Sequence, residues 1–260
     1  VLSAINKSPV LGEYREHPGL LMRLQNYKVH MAFGLHSGWA IEGAIGSEFK
    51  VDASYLSPNV KSAEALENAA KSIYKVSITA SSVLVGEVSP GMRSQFRLID
   101  HVSFSGGPPM RIYVVDVDPS AVAIQTQQVN VKAGRFKLRM IRENMKQMKW
   151  QPTYHPADQF VLDTDLARMR SRFSDTFMQK FDMGYQNYEA GEWKVARAIL
   201  EDVRTMLGPD FPDGPSQALL SFMQQHHTPK DGEDFHAPPG WKGYREMSLD
   251  VLQFQGTPEK

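Results

Sequence analysis

Met31-Ala32-Phe33-Gly34-Leu35-His36-Ser37-Gly38-Trp39-Ala40-Ile41-Glu42-Gly43-Ala44-Ile45-Gly46-Ser47, continuing through Phe49-Lys50-Val51-Asp52-Ala53-Ser54-Tyr55-Leu56, is the stretch from which the fold is read. It predicts a strand, a glycine-punctuated turn and loop, a second strand, and then a helix opened by Ser57-Pro58-Asn59. Glycines at 34, 38, 43 and 46 imply that backbone passes close to something, either a ligand or another strand, because only glycine accepts the geometry such approaches require.

Working outward, Leu20-Leu21-Met22-Arg23-Leu24 has helical spacing and should end before a strand that begins at Lys28. Residues 28–35 are almost continuously apolar, the mark of a strand covered on both faces. Downstream, Val60, Ala63, Leu66, Ala70 and Ile73 recur at helical spacing over 59–73. Val76-Ser77-Ile78-Thr79 alternates as a strand, and Ser81 or Ser82 is placed to cap a short helix. Phe96–Val102 and Met110–Val117 read as two strands joined through Ser105-Gly106-Gly107-Pro108-Pro109.

The run Gly34-Leu35-His36-Ser37-Gly38, then Gly43-Ala44-Ile45-Gly46-Ser47, then Asp52 on a strand and a helix ending in Leu66-Glu67, resembles the second half of the catalytic domain of class III nucleotidyl cyclases. The variant Asp52-Ala53-Ser54-Tyr55-Leu56-Ser57-Pro58-Asn59-Val60 looks most like the cyclase domains of large protist proteins. The resemblance covers roughly residues 28–117. It implies an α+β fold: a partial ferredoxin-like, cyclase-homology sheet, followed here by an α-helical extension and an irregular tail.

In that family two half-sites meet at a dimer interface, and a ribose hydroxyl attacks the α-phosphate with help from two metal ions. The resemblance implies that Asp52 reads the nucleotide base. The family's metal-binding aspartates belong to the half preceding this match, so magnesium or manganese is expected only in company with a metal-binding half supplied elsewhere. The chain opens on Val1 rather than Met, which reads as a fragment or a processed product. Where the family continues Asn-Met-Ala-Ser-Arg-Leu-Glu, this chain has Lys61-Ser62-Ala63-Glu64-Ala65-Leu66-Glu67. Anchored on Leu66-Glu67, Lys61 and Ala65 replace the family's asparagine and arginine. In the alternative register Asn59 is the asparagine and Ala63 takes the arginine position. Either way the guanidinium is lost, and removing one preorganised donor to transition-state charge costs about 2.7–4 kcal/mol. Lys61 carries charge without arginine's planar fork.

The sequence therefore reads as an interaction or regulatory module, catalytically degenerate, that binds a protein partner or a second cyclase-like half. The alternative is one part of a working adenylyl or guanylyl cyclase acting on ATP or GTP. Its 260 residues hold 29 basic and 29 acidic side chains, so no net field draws it to nucleic acid. Cysteine is absent, which removes disulfides and thiolate metal sites and fits a cytosolic compartment; the expected setting is intracellular, on the cytoplasmic side, as part of a larger membrane or cytoskeletal assembly. No apolar run reaches the roughly 20 residues that span a bilayer.

Composition divides the chain into the cyclase-like half (1–118), a basic linker (119–159), a helical hairpin (160–210) and a Pro/Gly-rich tail (211–260). Seven basic residues from Lys132 to Lys149 face one acidic residue, Glu143. They read as the solvated face of a helix with Phe136, Met140 and Met145 turned inward, the alternative being a site for an acidic or phosphate-rich partner. Phe173, Phe177 and Phe181 recur every four positions, and Tyr188–Leu207 resembles one tetratricopeptide-type hairpin, with Gly191 allowing close packing and Ala196 at the crossing. One such unit cannot bury its own face and should dock on the sheet or on another protein. Trp193, Trp241 and Tyr244 are the expected partner-binding anchors. His226, His227 and His236 with Asp231, Glu233 and Asp234 read as solvated charge rather than a metal site, and His36 as a packed histidine rather than a general base.

Overall fold

The computed structural model describes residues 1–14, 17–23, 29–124, 134–230 and 234–248. It contains two compact units, each assembled from separated parts of the chain: residues 1–30 with 117–171, and residues 31–116 with 172–260. The divisions read at 118, 159 and 210 thus mark changes of composition and element type, whereas packing groups the chain across them.

Within the first unit, α1 (Leu2–Lys7), α2 (Pro9–Glu13) and α3 (Pro18–Leu21) are short. Ser8 accepts from the Leu11 N–H and Pro9 opens α2, as proline does where no intrahelical donor is needed.

The second unit opens with β1 (Phe33–Leu35), β2 (Ile41–Ser47) and β3 (Lys50–Leu56). Ser57 caps α4 (Pro58–Ala69), accepting from the Asn59 N–H, with Pro58 in the first turn. The helix turns Ala65, Leu66 and Ala69 into the core and passes into a π-helical turn, Ala70–Tyr74, closed by Lys75 in the left-handed region at φ 51°. β4 (Ile78–Ser81) follows, and the Ser81 side chain accepts from the Leu84 N–H to start α5 (Ser82–Glu87), as the sequence predicts. After α6 (Pro90–Arg93), β5 (Arg97–Phe104) and β6 (Met110–Val114) form the expected hairpin.

The chain returns to the first unit for α7 (Arg135–Lys149), α8 (Gln159–Leu162) and α9 (Thr164–Arg170). The second unit is completed by α10 (Asp175–Ala190), α11 (Trp193–Met206), α12 (Gly214–His226), β7 (Thr228–Lys230), β8 (Asp234–His236) and β9 (Arg245–Met247).

A mixed five-stranded sheet runs in the order β1-β4-β6-β5-β9, so the fold is α+β with a helical C-terminal part. β1 pairs parallel with β4 and β9 parallel with β5; the remaining neighbours are antiparallel. One core joins sheet and helices: Ile99, Val102, Ile112 and Val114 share a buried cluster with Phe177, Phe181, Leu200, Val203, Leu219 and Met223. Each fully buried aliphatic or aromatic side chain of this kind contributes about 1.5–3 kcal/mol relative to exposure.

Several expectations need correction. The glycine-rich loop after β1 contains a strand, β2, paired residue for residue with β3. Gly46 lets that ribbon close, because a Cβ there would meet the Lys50 carbonyl oxygen at 2.0 Å. β1 is a three-residue edge strand with Leu35 exposed, not a strand covered on both faces; residues 24–28 lie outside the described residues. The tail is not wholly irregular, since it adds β9 to the sheet. Phe136, Met140 and Met145 do not turn inward, and α7 buries no residue. Gly191 is the left-handed cap of α10 at φ 88°, while the close packing the hairpin needs falls to Gly184, whose Cβ would sit 2.9 Å from Leu200 Cδ2.

Candidate functional site

Of the residues singled out by sequence, Gly34, His36 and Asn59 come together at the end of β1, where the chain crosses from sheet to hairpin. Gly34 backs onto α4 so closely that a Cβ would stand 2.2 Å from the Ala63 carbonyl oxygen and 2.4 Å from the Glu67 nitrogen. The close approach the glycines imply is therefore, at this position, to the chain's own helix. Beyond it His36 bridges two elements, its Nδ1 lying 2.8 Å from Ser81 Oγ and its Nε2 3.1 Å from Asn59 Oδ1. Asn59 Nδ2 donates to the Trp39 carbonyl oxygen at 2.9 Å, and Ser57 Oγ donates to the same oxygen.

Asn59 Oδ1 only accepts, so Nε2 of His36 donates to it; Nδ1 shares a hydrogen bond with the Ser81 hydroxyl, whose oxygen also accepts from the Leu84 N–H. Every group in the chain of bonds is satisfied. His36 and Asn59 lock the turn after β1 against the starts of α4 and α5, a structural task that matches the packed-histidine reading of His36.

The other positions disperse. Lys61 is exposed, whereas Ala65, four residues on, is 2 % exposed and faces the core. Asn59 and Ala63 of the alternative register are both half-buried. Asp52 lies on β3 opposite Ile45, its carboxylate 3.0 Å from Lys50 Nζ and largely open to solvent. The ribbon around it is apolar and uncovered: Trp39, Ile41, Val51, Tyr55 and Leu56 are 61–66 % exposed and Phe49 is 94 % exposed.

The expected partner anchors are used inside the chain. Trp193 is fully buried, stacked on Tyr188 at 6.0 Å, with its indole N–H donated to the Tyr188 carbonyl oxygen. Trp241 meets Trp193 edge to face at 5.2 Å and donates to the Glu189 carbonyl oxygen. Tyr244 lies 5.6 Å from the His101 ring. Of the two docking alternatives, the helical hairpin therefore takes the sheet.

Two buried ionic networks escaped the sequence reading. Arg97 on β5 reaches Asp116 at 2.7 and 2.8 Å and Asp213, the α12 cap, at 2.9 and 3.3 Å. Its guanidinium also covers the Phe181 ring at 4.2 Å. Arg245 on β9 donates to Asp100 at 2.8 Å beside Tyr74, whose hydroxyl gives Asp100 a 2.6 Å bond. Burial, then the Asp100 charge, raises the Tyr74 hydroxyl well above its usual range, so it remains a donor. The signal available was a charge inside an apolar strand: Arg97 and Asp100 in Phe96–Val102, and Asp116 in Val114-Val115-Asp116-Val117.

Among the described residues no group of three His, Asp or Glu side chains is arranged to hold a metal ion. His226 and His227 instead stack on Phe222 and Phe235; Asp231 and Glu233 lie outside the described residues. No described helix is long and apolar enough to cross a membrane. No protein-family model, curated protein or solved structure matches the chain.

Proposed function

We propose that the segment from β1 to β6 is a ferredoxin-like, cyclase-homology module that no longer catalyses, and that it serves by docking a second cyclase-like half through the β2–β3 ribbon. The observation that carries this reading is the ribbon itself. A lone two-stranded hairpin is marginally stable in water, and this one presents Trp39, Ile41, Phe49, Val51, Tyr55 and Leu56 uncovered. Catalysis is set aside because alanine stands at the arginine position in either register, and because Asn59 is committed to His36 and Trp39.

The exposed Asp52 favours a second reading, in which the module forms the base-reading side of an adenylyl or guanylyl cyclase whose metal-binding half comes from elsewhere. One sample separates the two. The protein is incubated with manganese and ATP or GTP, assayed for cyclic nucleotide, and sedimented. The first reading expects no product and an associated species that Phe49→Asp disperses. Cyclic product that disappears in Asp52→Ala would overturn it.

A further inference from the structure

We infer that α7 is an in-plane membrane-surface helix that takes anionic phospholipid headgroups. It carries Arg135, Lys137, Arg139, Arg142, Lys146 and Lys149 against Glu143 alone. At 3.6 residues per turn, Arg135, Arg139, Arg142, Lys146 and Lys149 fall within about 80° of arc. Phe136, Leu138, Met140, Ile141, Met145 and Met148 spread over about 200° on the rest of the circumference.

All fifteen residues are exposed, with Phe136 at 82 % and Met148 at 61 %, so among the described residues nothing buries either face. An apolar arc of that width beside a narrow cationic stripe is what a helix lying half-immersed at a bilayer surface requires, with basic side chains at headgroup level. Trp150, directly after the helix and 87 % exposed, is the residue type enriched at that boundary. Lys137, Asn144 and Gln147 also fall in that arc; the two amides are uncharged, and Lys137 sits in the first turn, where Cβ tilts toward the N-terminus and a four-carbon stem lets the ammonium reach the surface. Lys146 lies 3.9 Å from Glu143, a solvent-exposed contact too weak to compete with a headgroup phosphate. Charge complementarity therefore selects the occupant: a surface rich in phosphatidylserine or phosphoinositide rather than a neutral one. An acidic protein with an apolar groove would have to enclose both arcs, and it is the competing outcome of the test.

The full chain is sedimented with phosphatidylcholine vesicles and with phosphatidylserine–phosphatidylcholine vesicles while tryptophan emission is recorded. Binding to the anionic vesicles alone is expected, with a blue shift that vanishes in Trp150→Phe while sedimentation persists. Each basic side chain near such a surface is worth about fivefold in partition, so Arg139→Gln/Arg142→Gln/Lys146→Gln should weaken binding about 100-fold. Phe136→Ser/Met148→Ser should abolish insertion with an unchanged far-UV spectrum, which shows that the fold survives. Equal indifference to both vesicle types would overturn the inference, as would binding to calcium-loaded calmodulin without binding to vesicles.

Discussion

The second unit uses its large aromatics in two opposite ways. In the helical layer Tyr188, Trp193, Phe222 and Trp241 meet one another at centroid distances between 5.2 and 6.3 Å, and both indole N–H groups are spent on backbone carbonyls. In the β2–β3 ribbon Trp39, Phe49 and Tyr55 stand in solvent. Residue type is the same; what differs is whether the chain supplies the opposing surface. The helical layer is a finished interior that explains stability, whereas the ribbon is apolar surface left in solvent, which is why it is the face proposed for docking.

The sharpest way to break this contrast is to damage the finished side. Arg97→Met removes the guanidinium that Asp116 and Asp213 share in the core, and breaking a buried ion pair from one side typically costs about 3–5 kcal/mol. Denaturant melts should show a loss of that size. A change below about 1 kcal/mol would mean that water reaches the network and that this core is less closed than its side chains imply.

A smaller effect comes from making one substitution in both regions. Gly34→Ala drives a methyl into the backbone of α4, where nothing can swing aside, and should cost about 1–3 kcal/mol or more. At Gly43 on the ribbon a Cβ meets nothing within 4 Å, so Gly43→Ala should be neutral or stabilising by about 0.4–1 kcal/mol through the unfolded chain. Matched thermal melts of the two variants decide the point. Equal losses would show that the ribbon is packed on something in the isolated protein and would remove the main support for an open docking face.

The same contrast explains what the sequence could and could not disclose. The Ser57 and Ser81 caps, α4 and the β5–β6 hairpin were legible because their causes are local: a side-chain acceptor beside free N–H groups, or an alternating strand. Periodicity showed that α7 is amphipathic but not that its apolar side is uncovered, so Phe136, Met140 and Met145 were placed inward. Trp193 and Trp241 were legible as anchors, yet not as anchors on each other, since beyond the neighbouring Tyr188 the surfaces that enclose Trp193 come from Phe222 and Trp241, tens of residues away. β9 was invisible for a related reason. Arg245-Glu246-Met247 has no strand pattern, and only β5, more than a hundred residues earlier in sequence, makes it one. At the candidate site, Asn59 stood out only through the resemblance, in its alternative register, and its engagement by His36 and Trp39 required the fold.

The smallest expected effect sets the half-buried ion pair of the first unit against the fully buried one of the second. Lys7 Nζ lies 2.6 Å from Asp165 Oδ2, and the Ser3 hydroxyl donates to the same oxygen at 2.5 Å, tying α1 to α9. The hydrogen bond from Lys7, then that from Ser3, holds the Asp165 carboxyl below its usual value. Because the folded value is the depressed one, this tether is fully in force above the unfolded carboxyl's range, near pH 4, and is lost as pH falls through the folded value. Carbon NMR of the Asp165 carboxyl should show a midpoint below the ordinary range that moves back toward it in Lys7→Met, the Ser3 hydrogen bond keeping part of the shift, while the neutral-pH melting temperature barely moves. A large loss of stability in Lys7→Met at neutral pH would mean that this pair is shielded from solvent as the Arg97 network is. It would also put a second ionic core in a unit whose described side chains expose most of their charge.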